Sequence, residues 1–309
     1  MARTSIVAAA KERGALVSDG AWGTFLFRRG LGKGQCPELW CSLRPSDVRD
    51  IASSYLASGA DMIGTNSFGG TRIRLSAYGL SERAAELNEA AARLSREAVG
   101  SRAWVVGTMG PTGKIPALSD LTSEEIRDAF REQAIALARG GADALCIETM
   151  SEADEAAIAV RAAKEATGLE VICTFSFGRT PRGGYRTLSG LSPGAAAAAA
   201  LDAGADIVGA NCGDGFAGMI EVIKAMRPAA RGAPIAAQAN AGLPTSVDGI
   251  DTYPEGPEYA AALVPAMLGS GVDVVGGCCG TTPAHVAAIR RAVDEYLASW
   301  RIDRIPPLR

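Results

Sequence analysis

The sequence predicts a closed (β/α)8 TIM barrel, a single domain over residues 1–309 with its core at about 15–296. Three observations predict it. Eight short apolar runs recur along the chain, each rich in Val, Ile or Ala, as expected of strands covered on both faces. Four turns repeat one pattern: Ser58-Gly59-Ala60-Asp61, Gly140-Gly141-Ala142-Asp143, Ala203-Gly204-Ala205-Asp206 and Ser270-Gly271-Val272-Asp273. The segments between the runs carry helix-start signals. Strands and helices alternating in this way within one chain close into a barrel.

In chain order the strand runs are Ala15–Asp19, Met62–Asn66, Trp104–Thr108, Ala144–Thr149, Val171–Ser176, Ile207–Cys212, Ile235–Asn240 and Val272–Cys278. Pro45–Ala57 opens with Pro-Ser-Asp, and Thr122–Arg139 opens with Thr-Ser-Glu-Glu, a capping-box pattern. Glu152–Ala166 and Thr282–Trp300 read as helices of the same kind. The Gly of each repeated turn is placed to end a helix in a left-handed conformation, which costs Gly little. A doubly wound open sheet is the competing architecture. It calls for a glycine-rich phosphate turn after the first strand, and Gly20-Ala21-Trp22-Gly23 lacks the G-x-G-x-x-G spacing.

The composition excludes several classes. A net charge of −3 gives no basic footprint for nucleic acid or acidic lipid. The longest apolar stretch, Ala195–Leu201, is far short of the ~20 residues of a membrane span. Met1–Arg13 has no apolar core or cleavage site of a secretory signal. Seven cysteines, an odd number in a long chain without a signal, point to a cytoplasmic protein that uses clustered Cys for metal or catalysis.

In a barrel of this kind the active site lies at the C-terminal strand ends, and the polar residues gather there. Asp19 closes the first run, Thr65 and Asn66 the second, and Glu148 and Thr149 the fourth. Ser176 closes the fifth, Asn211 and Cys212 the sixth, Asn240 the seventh and Cys278 and Cys279 the eighth. The Cys pair stands between glycines, Gly276-Gly277-Cys278-Cys279-Gly280. Neighbouring side chains in a regular strand point to opposite faces, and glycines allow the turn that brings both to one centre. With Cys212 they make three thiolates and one open position. That is the donor set of a catalytic zinc site, since structural sites close all four positions. Burial as small apolar side chains is the alternative for any single Cys.

Cys146 and Cys173 sit inside apolar runs and read as core. Cys36 and Cys41, spaced C-x-x-x-x-C beside Pro37 and Trp40, read as structural, with a second metal site as the alternative. His285, the sole histidine, reads as a helix-start residue and not as a base. Asp19 and Glu148 read as an acid/base pair or a clamp for an ammonium group, with salt-bridge roles as the alternative.

Together Asp19-Gly20-Ala21-Trp22-Gly23-Thr24, Thr65-Asn66-Ser67-Phe68, Gly110-Pro111, Glu148-Thr149, Asn211-Cys212, Asn240-Ala241-Gly242-Leu243-Pro244 and Gly276-Gly277-Cys278-Cys279-Gly280-Thr281-Thr282-Pro283 resemble the homocysteine S-methyltransferase family. That family includes the homocysteine domain of cobalamin-dependent methionine synthase and betaine–homocysteine methyltransferase. The resemblance runs in order from about residue 15 to 295. It implies a barrel, one Zn2+ held by Cys212, Cys278 and Cys279, and homocysteine held at its amino acid end by Asp19, Thr65 and Glu148, with Asn240 a further substrate contact. The implied reaction makes methionine, with a methyl-corrinoid on a separate protein as donor. S-methylmethionine, S-adenosylmethionine or a betaine as donor, another thiol as acceptor, and a non-catalytic zinc-binding barrel subunit are the alternatives. Two departures stand out. Trp22 occupies a position where Met is common, and Gln238-Ala239 stands where methionine-synthase-like members often have Lys-Pro.

Overall fold

Eight parallel strands form one sheet: β1 Leu16–Val17, β2 Met62–Gly64, β3 Trp104–Met109, β4 Ala144–Met150, β5 Glu170–Phe175, β6 Ile207–Cys212, β7 Ile235–Ala239 and β8 Val274–Gly277. Each overlaps one predicted run. The structure is a computed structural model and describes residues 4–114, 120–247 and 250–302. Residues 1–3 and 303–309 of the predicted domain lie outside the described residues. Strands β2 to β8 pair in chain order, and β8 pairs with β1. The ring closes between β1 and β2 through a bridge from Ser18 to Met62. There the Asp61 N–H also donates to the Val17 carbonyl at 2.7 Å.

Helices α1 Pro45–Ala57, α2 Ala84–Val99, α3 Ser123–Arg139, α4 Ala153–Thr167, α5 Pro193–Asp202, α6 Phe216–Met226, α7 Pro257–Gly269 and α8 Pro283–Ile302 follow the strands in turn. The capping box at the start of α3 is formed, with Thr122 and Glu125 each bonding the other's backbone. Gly59, Gly141, Gly204 and Gly271 all have φ between 91° and 104°, so the repeated turn is the left-handed exit from a helix.

The aspartate of that repeat has a second use. Asp61, Asp143, Asp206 and Asp273 each open an even-numbered strand, and each carboxylate accepts a backbone N–H of the preceding odd-numbered strand. The donors are Val17, Val105, Val171 and Ile235, at 2.9, 2.8, 2.7 and 2.8 Å. A basic side chain covers each of these aspartates: Arg290, Arg96, Lys164 and Arg227 in turn. Four charge-assisted clamps thus fix strand register at the end of the barrel away from the site, where stability and not chemistry is served.

Side chains alternate along each strand. Leu16, Met62, Val106, Ala144, Cys146, Ile172, Ile207, Ala236 and Val274 fill the barrel interior, and the helix Ile6–Arg13 plugs its lower end with Ile6, Ala9 and Ala10. The opposite faces pack on the helices through residues such as Val17, Ile63, Val105, Leu145, Ile147 and Val208. Each large aliphatic side chain buried in this way stabilises by about 1.5–3 kcal/mol. Among the described residues no helix is long and apolar enough to cross a membrane.

Two short antiparallel hairpins were not expected. Gly178–Arg179 pairs with Tyr185–Arg186 after β5, and Thr245–Val247 pairs with Ile250–Thr252 after β7. Strands of two or three residues are too short to carry a hydrophobic period by which a sequence could reveal them.

Candidate active site at the barrel mouth

Three sulfur atoms meet at the C-terminal end of the barrel. Cys212 ends β6, and Cys278 and Cys279 follow β8 directly. Their Sγ atoms all lie within 4.8 Å of one another, and those of Cys212 and Cys278 are 3.1 Å apart. The chain turns sharply at the pair. The Cys278 carbonyl accepts both the N–H and the hydroxyl of Thr281, and Gly280 between them has φ 81°. A Cβ on Gly280 would come within 2.1 Å of the Tyr253 ring, so only Gly fits. The glycine-framed turn expected from the sequence is therefore what points two adjacent thiols at one centre. Cys212 reaches the centre differently, through a φ of 62° that side-chain-bearing residues seldom adopt.

Thr149 shares that rare conformation, also with φ 62°. Both outliers are governed by Asn211. Its Oδ1 accepts the Thr149 N–H and the Thr174 hydroxyl, each at 2.8 Å, and its Nδ2 donates to the Thr149 Oγ1 at 2.7 Å. The same Nδ2 lies 3.4 Å from Cys212 Sγ and 3.8 Å from Cys278 Sγ. Asn211 thus ties the end of β4 to the sulfur cluster. Strained backbone held by such a network marks functional sites. The sequence offered only a polar residue next to a Cys, and Asn211 was not among the predicted site residues.

In the metal-free trio one thiolate is favoured. Cys279 is held well below the usual thiol value, because hydrogen bonds from Cys212 and Cys278 favour its thiolate. Cys278 is pushed up, first by its hydrogen bonds to the other two sulfurs. Cys212 is raised as well: its hydrogen bond with Cys278 pulls it down, but the hydrogen bond to Cys279, burial and the charge of Cys279 together outweigh that. The trio titrates as one unit, with one easy proton and two difficult ones.

Beside the sulfurs lies a cavity of about 330 Å3, whose walls include Asp19, Trp22, Thr65, Glu148, Thr149, Gln238 and all three cysteines. Glu148 faces it because β4 carries a register shift between Ile147 and Met150, a bulge that re-aims the strand end. Burial drives the Glu148 carboxyl up to about 8, helped by the charges of Asp19 and Cys279. Asp19 is raised to about 6 by burial, against hydrogen bonds that pull it down. Those bonds come from Trp22 Nε1 at 2.9 Å, the Gly64 N–H at 2.7 Å and the Ser18 hydroxyl. Trp22, the departure seen in the sequence, is thus a donor that anchors Asp19.

Thr65 is in the wall, yet its hydroxyl is already engaged: it accepts the Thr108 N–H at 3.0 Å and pairs with Ser67 Oγ at 2.5 Å. Asn240 is not in this wall. It lines an adjoining cleft, where its Nδ2 donates to the Gly213 carbonyl at 2.9 Å and its buried Oδ1 has no partner. Gln238, the other departure, donates to Ser18 Oγ at 3.1 Å.

Cys146 and Cys173 are buried in the core. Cys36 donates to Glu38 Oε2 at 3.2 Å and is pushed up to about 12 by burial, while Cys41 donates to the Asn66 carbonyl. Among the described residues the only group of three or more potential ligands is Cys212, Cys278 and Cys279. His285 accepts the Thr282 hydroxyl through Nδ1 and donates from Nε2 to the Glu255 carbonyl at 2.9 Å. Burial lowers its pKa, so it is a neutral tie between α8 and the segment before α7.

The raised Glu148 predicts a pH effect on stability. Between its ordinary value of 4.5 and about 8 the folded chain binds more protons here than the unfolded chain, so stability falls as pH rises through that window. Glu148→Gln stays neutral and escapes the fall. With allowance for water in the cavity the difference is on the order of 2–3 kcal/mol at pH 8, or roughly 5 °C in melting temperature. Thermal melts of the metal-free proteins should show no gap at pH 4 and a gap favouring the variant at pH 8. A gap independent of pH would remove Glu148 as its source.

With this geometry in hand, comparison with known proteins is decisive. A family model described as homocysteine S-methyltransferase matches residues 16–293. The chain belongs to the homocysteine S-methyltransferase family. It is 35% identical over 293 residues to methionine synthase from Mycobacterium tuberculosis and 33% identical over the same length to that from Mycobacterium leprae. Each alignment covers 90% of this chain and 24% of the relative, so the chain spans about a quarter of their length. Among solved structures, the metallated form of the homocysteine methyltransferase MmuM from Escherichia coli is similar. It has a TM-score of 0.74 at 22% identity, covering 92% of this chain and 98% of that one. A methyltransferase from Methanosarcina mazei matches with a TM-score of 0.60 at 14% identity, covering 94% and 97%. At those identities the likeness is one of fold.

Proposed function

We propose that this family member is a cytoplasmic zinc enzyme that transfers a methyl group to homocysteine and forms methionine, its barrel acting as one domain. The observation that carries the reading is the trio of sulfurs beside a cavity walled by two carboxylates. The trio fits zinc. Tetrahedral zinc–thiolate bonds of ~2.3 Å set sulfurs about 3.8 Å apart, so a modest opening from the 3.1 Å of Cys212 and Cys278 suffices. The sulfurs are soft, polarisable ligands, and three of them leave one position open.

Cys212, Cys278 and Cys279 would hold the ion, which when bound would keep a coordinated thiol deprotonated. Asn211 fixes two of the sulfurs through its Nδ2. The α-ammonium of homocysteine is assigned to Glu148, with Asp19 as the second negative group. Asp19 is already gripped by Trp22 and Gly64, so it positions, while Glu148 has acceptor capacity to offer. Thr65 contributes through the shape of the wall, its hydroxyl being committed. The acceptor thiolate attacks the donor methyl in line, its electron pair forming the new S–C bond while the donor leaves with the pair of the broken bond. No protein base is required, which agrees with a neutral His285 bound on both ring nitrogens. The likeness to relatives named methionine synthase supports methionine as the product, and a methyl-corrinoid is the donor this reading puts first.

The test is a donor screen. The purified chain is given homocysteine with methylcobalamin, a methylated corrinoid protein, S-methylmethionine, S-adenosylmethionine or betaine, and methionine is quantified. Methionine should form with one donor class, vanish on zinc chelation and return with added zinc. No methionine from any donor would sink the reading.

A further inference from the structure

Cys212 and Thr149 stand in the wall between two hollows. One is the acceptor cavity. The other is a cleft of about 960 Å3 between the segments that follow β5 and β7, close to three times larger. The two differ in charge. The acceptor cavity is walled by Asp19, Glu38 and Glu148 and by no basic side chain among the described residues. The cleft is walled by Arg179 and Arg186, and its one acid, Asp214, accepts the Tyr185 hydroxyl at 3.0 Å and pairs with Arg179 Nε at 3.7 Å, so one positive charge is left in excess.

The arginines stand on the hairpin Gly178–Arg179 with Tyr185–Arg186, and exposed Arg182 lies between its strands. No acidic residue occurs from Gly178 to Leu201, although the whole chain has a net charge of −3. Tyr185 holds both guanidinium groups in place. Its hydroxyl accepts from Arg179 at 3.0 Å, its ring lies 5.2 Å beneath that guanidinium, and its carbonyl accepts from Arg186 at 3.0 Å. A guanidinium has five N–H groups, so each keeps donors for a ligand. Leu188 and Leu243, 90% and 61% exposed, add apolar edges to the same cleft.

We propose that this cleft binds the methyl donor, and that the donor carries an anionic group, a carboxylate or a phosphodiester, recognised by Arg179 and Arg186. The proposal rests on the reading that the chain methylates a thiol at the sulfur cluster. With the acceptor in its own cavity, a donor methyl reaches the sulfurs from the side of Cys212 that the cleft opens. The charge division sorts the substrates: an ammonium is drawn to the acidic hollow, and an anion is repelled there and attracted to the basic one. The transferred methyl leaves a sulfonium sulfur or a corrinoid cobalt, the bond's electron pair stays on the donor, and no oxidant or reductant is consumed. A sulfonium amino acid supplies the carboxylate and methylcobalamin the phosphodiester.

The experiment uses the zinc-loaded chain and the double variant Arg179→Gln/Arg186→Gln. Donors are S-methylmethionine, methylcobalamin and trimethylsulfonium, which has no anionic group. For the anionic donor that is used, KM should rise about tenfold or more, and the donor affected names the source of the anion. Trimethylsulfonium should keep its KM, and zinc content and homocysteine affinity should not change. An equal rise for trimethylsulfonium, or no rise for either anionic donor, overturns the assignment. Calorimetric binding of S-methylmethionine and methylcobalamin gives a reading independent of turnover. If the wild-type chain binds neither, the cleft is not a donor site. If it binds one through the arginines and forms no methionine, the cleft stands and the methylation reading falls.

Discussion

Cys278→Ser is expected to strip the chain of its zinc and of its methyl transfer together. Cys278 Sγ lies 3.1 Å from Cys212 Sγ, and all three sulfurs lie within 4.8 Å of one another. A serine hydroxyl does not ionise near neutral pH and cannot replace a thiolate. Loss of one of three protein ligands should exceed the 10- to 100-fold typical of losing an outer partner, and the rate should drop by roughly three orders of magnitude or more. Cys36→Ser is the control. Its thiol donates to Glu38, a bond that a hydroxyl can replace, and it lies outside the three-sulfur group. Zinc measured by mass spectrometry after dialysis should be about one per chain in the wild type and in Cys36→Ser, and near zero in Cys278→Ser. Loss of zinc from Cys36→Ser as well would make the ligand assignment wrong.

The barrel was legible because it is repetitive. Eight apolar runs and four Gly-containing turns each reported the same physical event, a helix ending and a buried strand beginning, so single uncertain signals reinforced one another. The edges of the runs were less legible. Val272–Cys278 shrinks to Val274–Gly277 and Ala15–Asp19 to Leu16–Val17, because the polar residues that end each run leave the ladder to build the site or the clamps. The aspartates of the repeat were visible as a pattern, but their bonds to Val17, Val105, Val171 and Ile235 join residues about 35 to 45 positions apart and depend on the closed ring.

Within the site, the meeting of the three sulfurs was legible because thiols framed by glycines at strand ends are rare and chemically specific. The division of labour among the polar residues was not. Asp19 and Glu148 look alike in sequence, but Trp22 and Gly64 grip the first while the bulge in β4 turns the second into the cavity. Thr65 and Asn240 follow strands in the same manner, yet one spends its hydroxyl on Thr108 and Ser67 and the other faces the second cleft. Such differences arise from which neighbour donates first, and that is a property of the packed structure.

Homocysteine binding at pH 7 is expected to release clearly more than one proton per site, and up to about two. The first comes from the thiol, whose free pKa near ~8.5 leaves it protonated and which binds as thiolate. The second comes from Glu148. With its carboxyl raised to about 8, Glu148 is mostly protonated at pH 7 in the free protein. With zinc bound, three thiolates around a doubly positive ion would carry a net charge of −1 beside Glu148, which favours its neutral form. An α-ammonium placed against Glu148 supplies the missing opposite charge, which lowers a carboxyl by about 1–3 units and drives the proton off. Asp19, raised only to about 6, is already mostly ionised at pH 7 and adds to the count only in more acid solution. The sign is fixed: as pH rises past 8 both donors ionise in advance, so the count should fall well below one by pH 9.5. Calorimetry in buffers of different ionisation enthalpy counts the protons. Glu148→Gln should bring the value at pH 7 down to close to one and weaken binding by about ten- to hundredfold, the cost of a buried charge-assisted contact. A count of one in both proteins would remove Glu148 from the ammonium site, and a count near zero in the wild type would mean that the thiol binds without losing its proton.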